Sequence, residues 1–118
     1  VCGGRGMGSK LKFKKISELA QLLSGEVGAT RPIVYAGWVD EEALVGQAGK
    51  SIRPKVLFSF GISGAIQHTA AITRADFIIS INKNPDTPMM KMADVAIVAD
   101  AHQTCLGLIA ALKNQIRE

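Results

Sequence analysis

Residues 56–68 constrain the fold more than any other stretch. Val56-Leu57-Phe58-Ser59-Phe60 is an apolar run of strand length. Gly61-Ile62-Ser63-Gly64 follows as a turn, and the spacing then predicts a short helix over 65–72. Strand, glycine turn and helix start together make an anion site. Glycine lets backbone come close to a ligand, and the first N–H groups of a helix have no partner within it. Ser63, Gln67 and His68 stand where they could meet that ligand.

The rest of the chain repeats the alternation. Val1-Cys2 reads as the end of a strand, and Gly3-Gly4-Arg5-Gly6 as a flexible turn carrying one cation. Phe13, Ile16, Leu19, Ala20 and Leu23 predict a helix over 13–24, stopped by Gly25. A strand is expected over 27–30. Arg31 precedes Pro32, so extended backbone is expected there. Asp40-Glu41-Glu42 suits the start of a helical turn, and Gly46-Gln47-Ala48-Gly49 reads as a glycine-bracketed loop. Further strands are expected over 55–60, 76–82 and 94–99. A helical turn over 88–92 has methionines that read as core filler. A last helix over 102–116 carries Cys105, Ile109, Leu112 and Ile116 on one stripe.

Strands that alternate with helices, three of them near-continuous apolar runs, predict an α/β sandwich with a parallel sheet covered on both faces. Ligands of such sheets bind beyond the carboxyl ends of the strands. Thr30 with Arg31, residues 61–68, Asn82 and Asp100 all follow strands, so they converge on one edge.

Composition excludes several classes. The 118 residues suffice for one domain with a sizeable core. A net charge of +4 suits an anionic ligand such as a diphosphate. Dispersed cations and 5% aromatics argue against a nucleic-acid face. Cys2 and Cys105 form no Cys/His cluster, so a reduced, intracellular chain without a zinc site is expected. No apolar run reaches the ~20 residues of a membrane span. There is no catalytic triad, metal cluster or convergent carboxylate pair. The first residues, without an initiator Met, read as a fragment of a longer protein.

Six blocks then carry a resemblance: Gly-Gly-Arg-Gly at 3–6, Gly-Ala-Thr-Arg at 28–31, Val-Gly-Gln at 45–47, Gly-Ile-Ser-Gly-Ala-Ile-Gln-His at 61–68, Ile-Asn-Lys at 81–83 and Val-Ala-Asp at 98–100. In this order they resemble the C-terminal, FAD-binding domain of the electron transfer flavoprotein alpha subunit, across essentially the whole chain. The resemblance implies a Rossmann-like fold over 1–118, of the kind shared with sirtuins and transhydrogenase. It also implies non-covalent FAD, an N-terminal domain absent from this sequence, and a separate beta subunit.

It further implies an electron carrier without a catalytic site of its own. Electrons would come from flavin dehydrogenases such as acyl-CoA dehydrogenases. They would go to a quinone reductase, or pass within a bifurcating complex. The place would be the cytoplasm or the mitochondrial matrix. By the same resemblance, Arg5 lies on the FAD, and Thr30, Arg31 and the loop Val45, Gly46, Gln47, Ala48 lie at its ring. Ser63, Gly64, Ala65, Ile66, Gln67 and His68 lie along the pyrophosphate and ribityl chain, with His68 reaching the ring. Asn82 and Asp100 lie toward the adenosine. Ala48 stands where the family usually has Thr, and Ser80 where it usually has Ala. The competing readings are an NAD-dependent deacylase, which would need four zinc-binding cysteines, and a flavin-free partner-binding domain.

Overall fold

A computed structural model of the chain describes residues 1–45, 54–64 and 75–116. Five strands form one sheet: β1 (Cys2–Gly3), β2 (Gly28–Ala29), β3 (Val56–Phe60), β4 (Phe77–Asn82) and β5 (Val95–Val98). Their spatial order is β2-β1-β3-β4-β5 and every pairing is parallel, as expected. Leu44 adds an isolated parallel bridge to Ala29 on the outer side of β2. Counted as a strand, it makes the chain-order sequence across the sheet 3-2-1-4-5-6, that of a doubly wound dinucleotide-binding sheet. The sheet is thus the Rossmann-like parallel one expected.

Among the described residues four α-helices accompany it: α1 (Lys10–Leu22), α2 (Arg31–Tyr35), α3 (Pro88–Met92) and α4 (Ala101–Ile116). Ser9 caps α1, its Oγ accepting the Lys12 amide at 3.2 Å. Of the predicted stripe, Phe13, Ile16, Leu19 and Ala20 are buried, whereas Leu23, just past the end of α1, is exposed. Cys105 and Ile109 are buried on α4, with Leu112 packed at their margin. Ile116 and the helix expected over 65–72 lie outside the described side chains and residues.

Side chains alternate along a strand, so each strand feeds two cores. On one face Phe60 and Ile81 meet Phe13, Ile16 and Leu19 of α1, Ile33 of α2, and Cys105 and Ile109 of α4. On the other, Cys2, Leu57 and Ile78 meet Val45, Ile62 and Met89 of α3. Met89 fills the core, as its residue type suggested.

Arg31 corrects the sequence reading. It is the first residue of a helix, not extended, and Thr30 before it is the extended residue (φ −85°, ψ 160°). Proline's fixed φ suits the first turn of a helix, where its missing N–H costs nothing. Here that advantage outweighs the steric bias on the preceding residue. The Gly3–Gly6 segment is also less flexible than expected, since Arg5–Met7 form a 3-10 turn.

Two details yield measurable outcomes. Ser59 and Ser80 are register partners on the Leu57 face, fully buried, and neither hydroxyl has a hydrogen-bond partner among the described residues. An unsatisfied buried hydroxyl costs about 1–3 kcal/mol. Ser80→Ala is therefore expected to raise stability by about 1 kcal/mol, read as a higher urea midpoint at unchanged slope.

Both cysteines are buried. Desolvation, with Glu18 second, pushes the Cys105 thiol up to about 11. Thiol reagents act on the thiolate, which is then roughly a thousandth of the Cys105 population at pH 8. A colorimetric thiol titration should find Cys105 and Cys2 slow in the native protein and both fast in denaturant.

Candidate functional site

Because all strands are parallel, their carboxyl ends share one edge. β1 leads there to residues 4–8, β2 to Thr30 and Arg31, and β3 to residues 61–64. β4 ends in Asn82, and β5 leads to Asp100. β2 lies on one side of β1 and β3 on the other, so the loops after β1 and β3 flank the point where the winding reverses. This is where doubly wound sheets open a crevice for ligand.

These two loops touch through backbone. The Gly4 amide donates to Phe60 O at 3.0 Å and the Gly6 amide to Gly61 O at 2.9 Å. A Cβ on Gly6 would stand 2.5 Å from Gly61 Cα, and one on Gly61, at φ +67°, would stand 2.6 Å from Gly6 C. Two glycine motifs separated by more than fifty residues in sequence are therefore one structure. Met7 of the same turn is buried in the core, while Arg5 is exposed.

The turn after β3 is held from its far side by α3. The Met89 amide donates to Ser63 O at 3.0 Å, and a Cβ on Gly64 would stand 2.8 Å from Met89 N. Ser63 is exposed and Gly64 is buried. The amides of Ser63 and Gly64 make no hydrogen bond among the described residues. Free amides at a glycine turn on a strand end suit an anion.

Asn82 and Asp100 sit on the predicted edge, but both have structural roles there. Asn82 Nδ2 donates to Ile62 O at 3.4 Å and its Oδ1 accepts the Asn84 amide at 3.0 Å, which ties β4 to the β3 turn. Asp100 caps α4, its Oδ2 accepting the Gln103 amide at 2.8 Å, while its Oδ1 pairs with Lys83 at 3.2 Å. The Gln103 amide first, and Lys83 less strongly, hold its carboxyl below the usual 3.8.

A carboxyl held low adds stability above its unfolded pKa and loses it as pH falls through the folded one. Asp100→Asn keeps a capping oxygen but not the charge. It should cost under about 1 kcal/mol at pH 7, and the cost should shrink as the pH falls below the usual carboxylate range in paired denaturant melts.

Arg31 is half-buried, and its Nη1 donates to Tyr35 Oη at 3.3 Å with the guanidinium 5.8 Å from the Tyr35 ring centroid. Thr30 occupies the cap position of α2. Val45 is 1% exposed and belongs to the second core, beside the place where a Cβ on Gly28 would fall. Its side chain therefore packs inward. Gly46, Gln47, Ala48, Ala65, Ile66, Gln67 and His68 lie outside the described residues. The sequence reading quoted Lys83 in the Ile-Asn-Lys block but gave it no role, and it passed over Tyr35. Lys83 was visible as the residue after a strand end. Tyr35 becomes visible only once α2 is known, four residues on from Arg31.

A parallel sheet wound in this order, with interlocked glycine turns at its reversal point, is a Rossmann-like domain. The electron transfer flavoprotein FAD-binding domain matches residues 1–73. An electron transfer flavoprotein subunit alpha from Clostridium acetobutylicum is 50% identical over 113 residues, 96% of this chain and 34% of that protein. Protein FixB from Bradyrhizobium diazoefficiens is 44% identical over 98% of this chain and 31% of its own length. The chain belongs to the electron transfer flavoprotein alpha subunit family, and it spans about a third of the length of these curated relatives.

Among solved structures, a candidate sugar-phosphate isomerase from Listeria monocytogenes superposes with a TM-score of 0.54 at 15% identity, covering 98% of this chain and 68% of its own. That likeness shows the fold alone. No described helix is long and apolar enough to cross a membrane, and no described group of His, Cys, Asp and Glu could hold a metal ion.

Proposed function

We propose that this chain is the FAD-binding part of an electron carrier and has no catalytic residues of its own. One observation carries the reading: the glycine turns after β1 and β3 interlock at the reversal point and leave the Ser63 and Gly64 amides without partners among the described residues. Small residues and bare amides there fit the pyrophosphate of a dinucleotide. FAD, when bound, supplies the redox chemistry. The chain's own contribution is position and charge.

Ser63 and Gly64 hold phosphate oxygens, and exposed Arg5, in the turn after β1, adds a cation. Arg31 brings a permanent positive charge to the end of β2, where it favours an anion over a neutral group. Asn82 and Asp100 brace this edge through Ile62 and α4, and face the adenosine end. Gly46, Gln47, Ala48 and the run from Ala65 to His68 complete the ring and phosphate contacts by family resemblance. The partners are a beta subunit, flavin dehydrogenases as donors, and a quinone reductase or other acceptor.

The test is direct. The native protein is denatured, and the released ligand is identified by mass and visible absorbance. FAD at near one per chain is expected. NAD, or a nucleotide without a flavin, would overturn the reading.

A further inference from the structure

The chain's positive charge is not evenly spread. Residues 1–17 hold Arg5, Lys10, Lys12, Lys14 and Lys15 and no acid, whereas the other 101 residues hold nine cations and ten acids. The net +4 is the work of this one segment. Four of its cations lie in the first two turns of α1, which has no acid in its first turn. Cations at a helix N-terminus oppose the macrodipole, and Lys10 and Lys14, four apart, repel each other.

Among the described residues, Glu18 is the only acid paired with these lysines. It takes Lys15 at 3.1 Å and Lys113 of α4 at 2.8 Å. Lys10, Lys12 and Lys14 are exposed and have no ion-pair partner among the described residues. Leu11 stands among them, 74% exposed, with Lys14 and Lys15 three and four residues on. Local arrangements that work against the fold mark functional surfaces.

The patch is also well placed. α1 starts where the chain leaves β1, so its first turn lies at the carboxyl edge, just after the Arg5 turn. The side chain of Lys12 folds back over Gly8, with its Nζ 3.6 Å from where a Cβ would stand.

We propose that the first two turns of α1 dock an acidic protein surface bearing a small apolar hollow: Lys10, Lys12 and Lys14 meet its carboxylates and Leu11 enters the hollow. Opposite charges steer such a partner to the edge that carries the glycine turns. Nucleic acid fits less well, because α1 has no arginine and its one aromatic, Phe13, is buried. A membrane fits less well too, since Leu11 is a single apolar residue and the other apolar side chains of the first two turns face the core. The surface stands apart from the cofactor reading and holds whichever nucleotide the edge binds.

The test uses the native protein with its cofactor and subunits. The probe is a short fluorescein-labelled peptide rich in Glu and Asp with a central Leu, followed by anisotropy. Binding should weaken steeply with salt. Lys10→Gln with Lys14→Gln should lose about tenfold in affinity, while Lys55→Gln with Lys91→Gln, two exposed lysines elsewhere, should lose less than twofold. Leu11→Ser should lose severalfold at an unchanged salt slope. The Lys10/Lys14 variant should melt no lower than the parent, because it removes charge repulsion at the helix start. Equal losses from the two double variants, or no loss with Leu11→Ser, would overturn the proposal. So would tighter binding of a mixed-sequence DNA duplex, or of phosphatidylcholine–phosphatidylglycerol vesicles, through the same lysines.

Discussion

Gly61→Ala is expected to lower stability by roughly 2–5 kcal/mol, the sum of left-handed backbone strain and overpacking. Gly61 has φ +67°, which an alanine adopts only under strain. Its new methyl would also meet Gly6 C and Cα at 2.6 Å. Backbone of a hydrogen-bonded turn cannot yield as a flexible side chain can. Relief requires the turn after β1 to separate from the turn after β3, which breaks the bond from the Gly6 amide to Gly61 O. Nucleotide retention should therefore fall with stability.

Gly37→Ala separates the two terms. Gly37 has φ +79° and nothing within 4 Å of its would-be Cβ, so only strain of about 1 kcal/mol applies. Denaturant midpoints and nucleotide content of both variants decide the matter. Equal effects would mean that the contact between the turns contributes nothing.

Phe13→Ala is expected to cost about 3–5 kcal/mol, the range for a large side chain removed from a packed core. Phe13 is 1% exposed, and its ring fills the space over Gly3, where a Cβ would lie 2.6 Å from Cε2. The same ring lies 6.3 Å from that of Trp38, just beyond α2. One side chain thus joins α1, β1 and the residues that follow α2. Domains of this size are stable by only about 5–15 kcal/mol, so the variant should approach unfolding at physiological temperature. Chemical denaturation reads the loss, and Phe13→Leu should recover most of it.

Much of this architecture was legible in the sequence because burial leaves a period. The stripe from Phe13 to Ala20 and the apolar runs of β3 and β4 could be read from spacing alone. The strand-end rule then placed Thr30, Arg31, Ser63, Asn82 and Asp100 on one edge before any pairing was known. Other features leave no such trace. α2 has five residues, too few for a period, and the proline that starts it also argues against helix at Arg31. The Leu44 bridge fixes the winding order with a single residue pair. The contact between Gly6 and Gly61 is backbone on backbone, so no side-chain pattern records it. Asn82 and Asp100 were rightly placed, but their hydrogen bonds with Ile62, Asn84 and Gln103 depend on loops whose course only the fold reveals.

β1 lies inside the sheet and joins β2 to β3. Cys2 and Gly3 pair with Ser59 and Phe60, more than fifty residues away. Closing so long a loop costs chain entropy before any local contact offsets it. The pairing of Cys2 and Gly3 with β3 and the bonds from the Gly4 and Gly6 amides to Phe60 and Gly61 therefore rest on contacts distant in sequence, so a change that parts β1 from β3 also parts the two glycine turns at the edge that would receive the nucleotide.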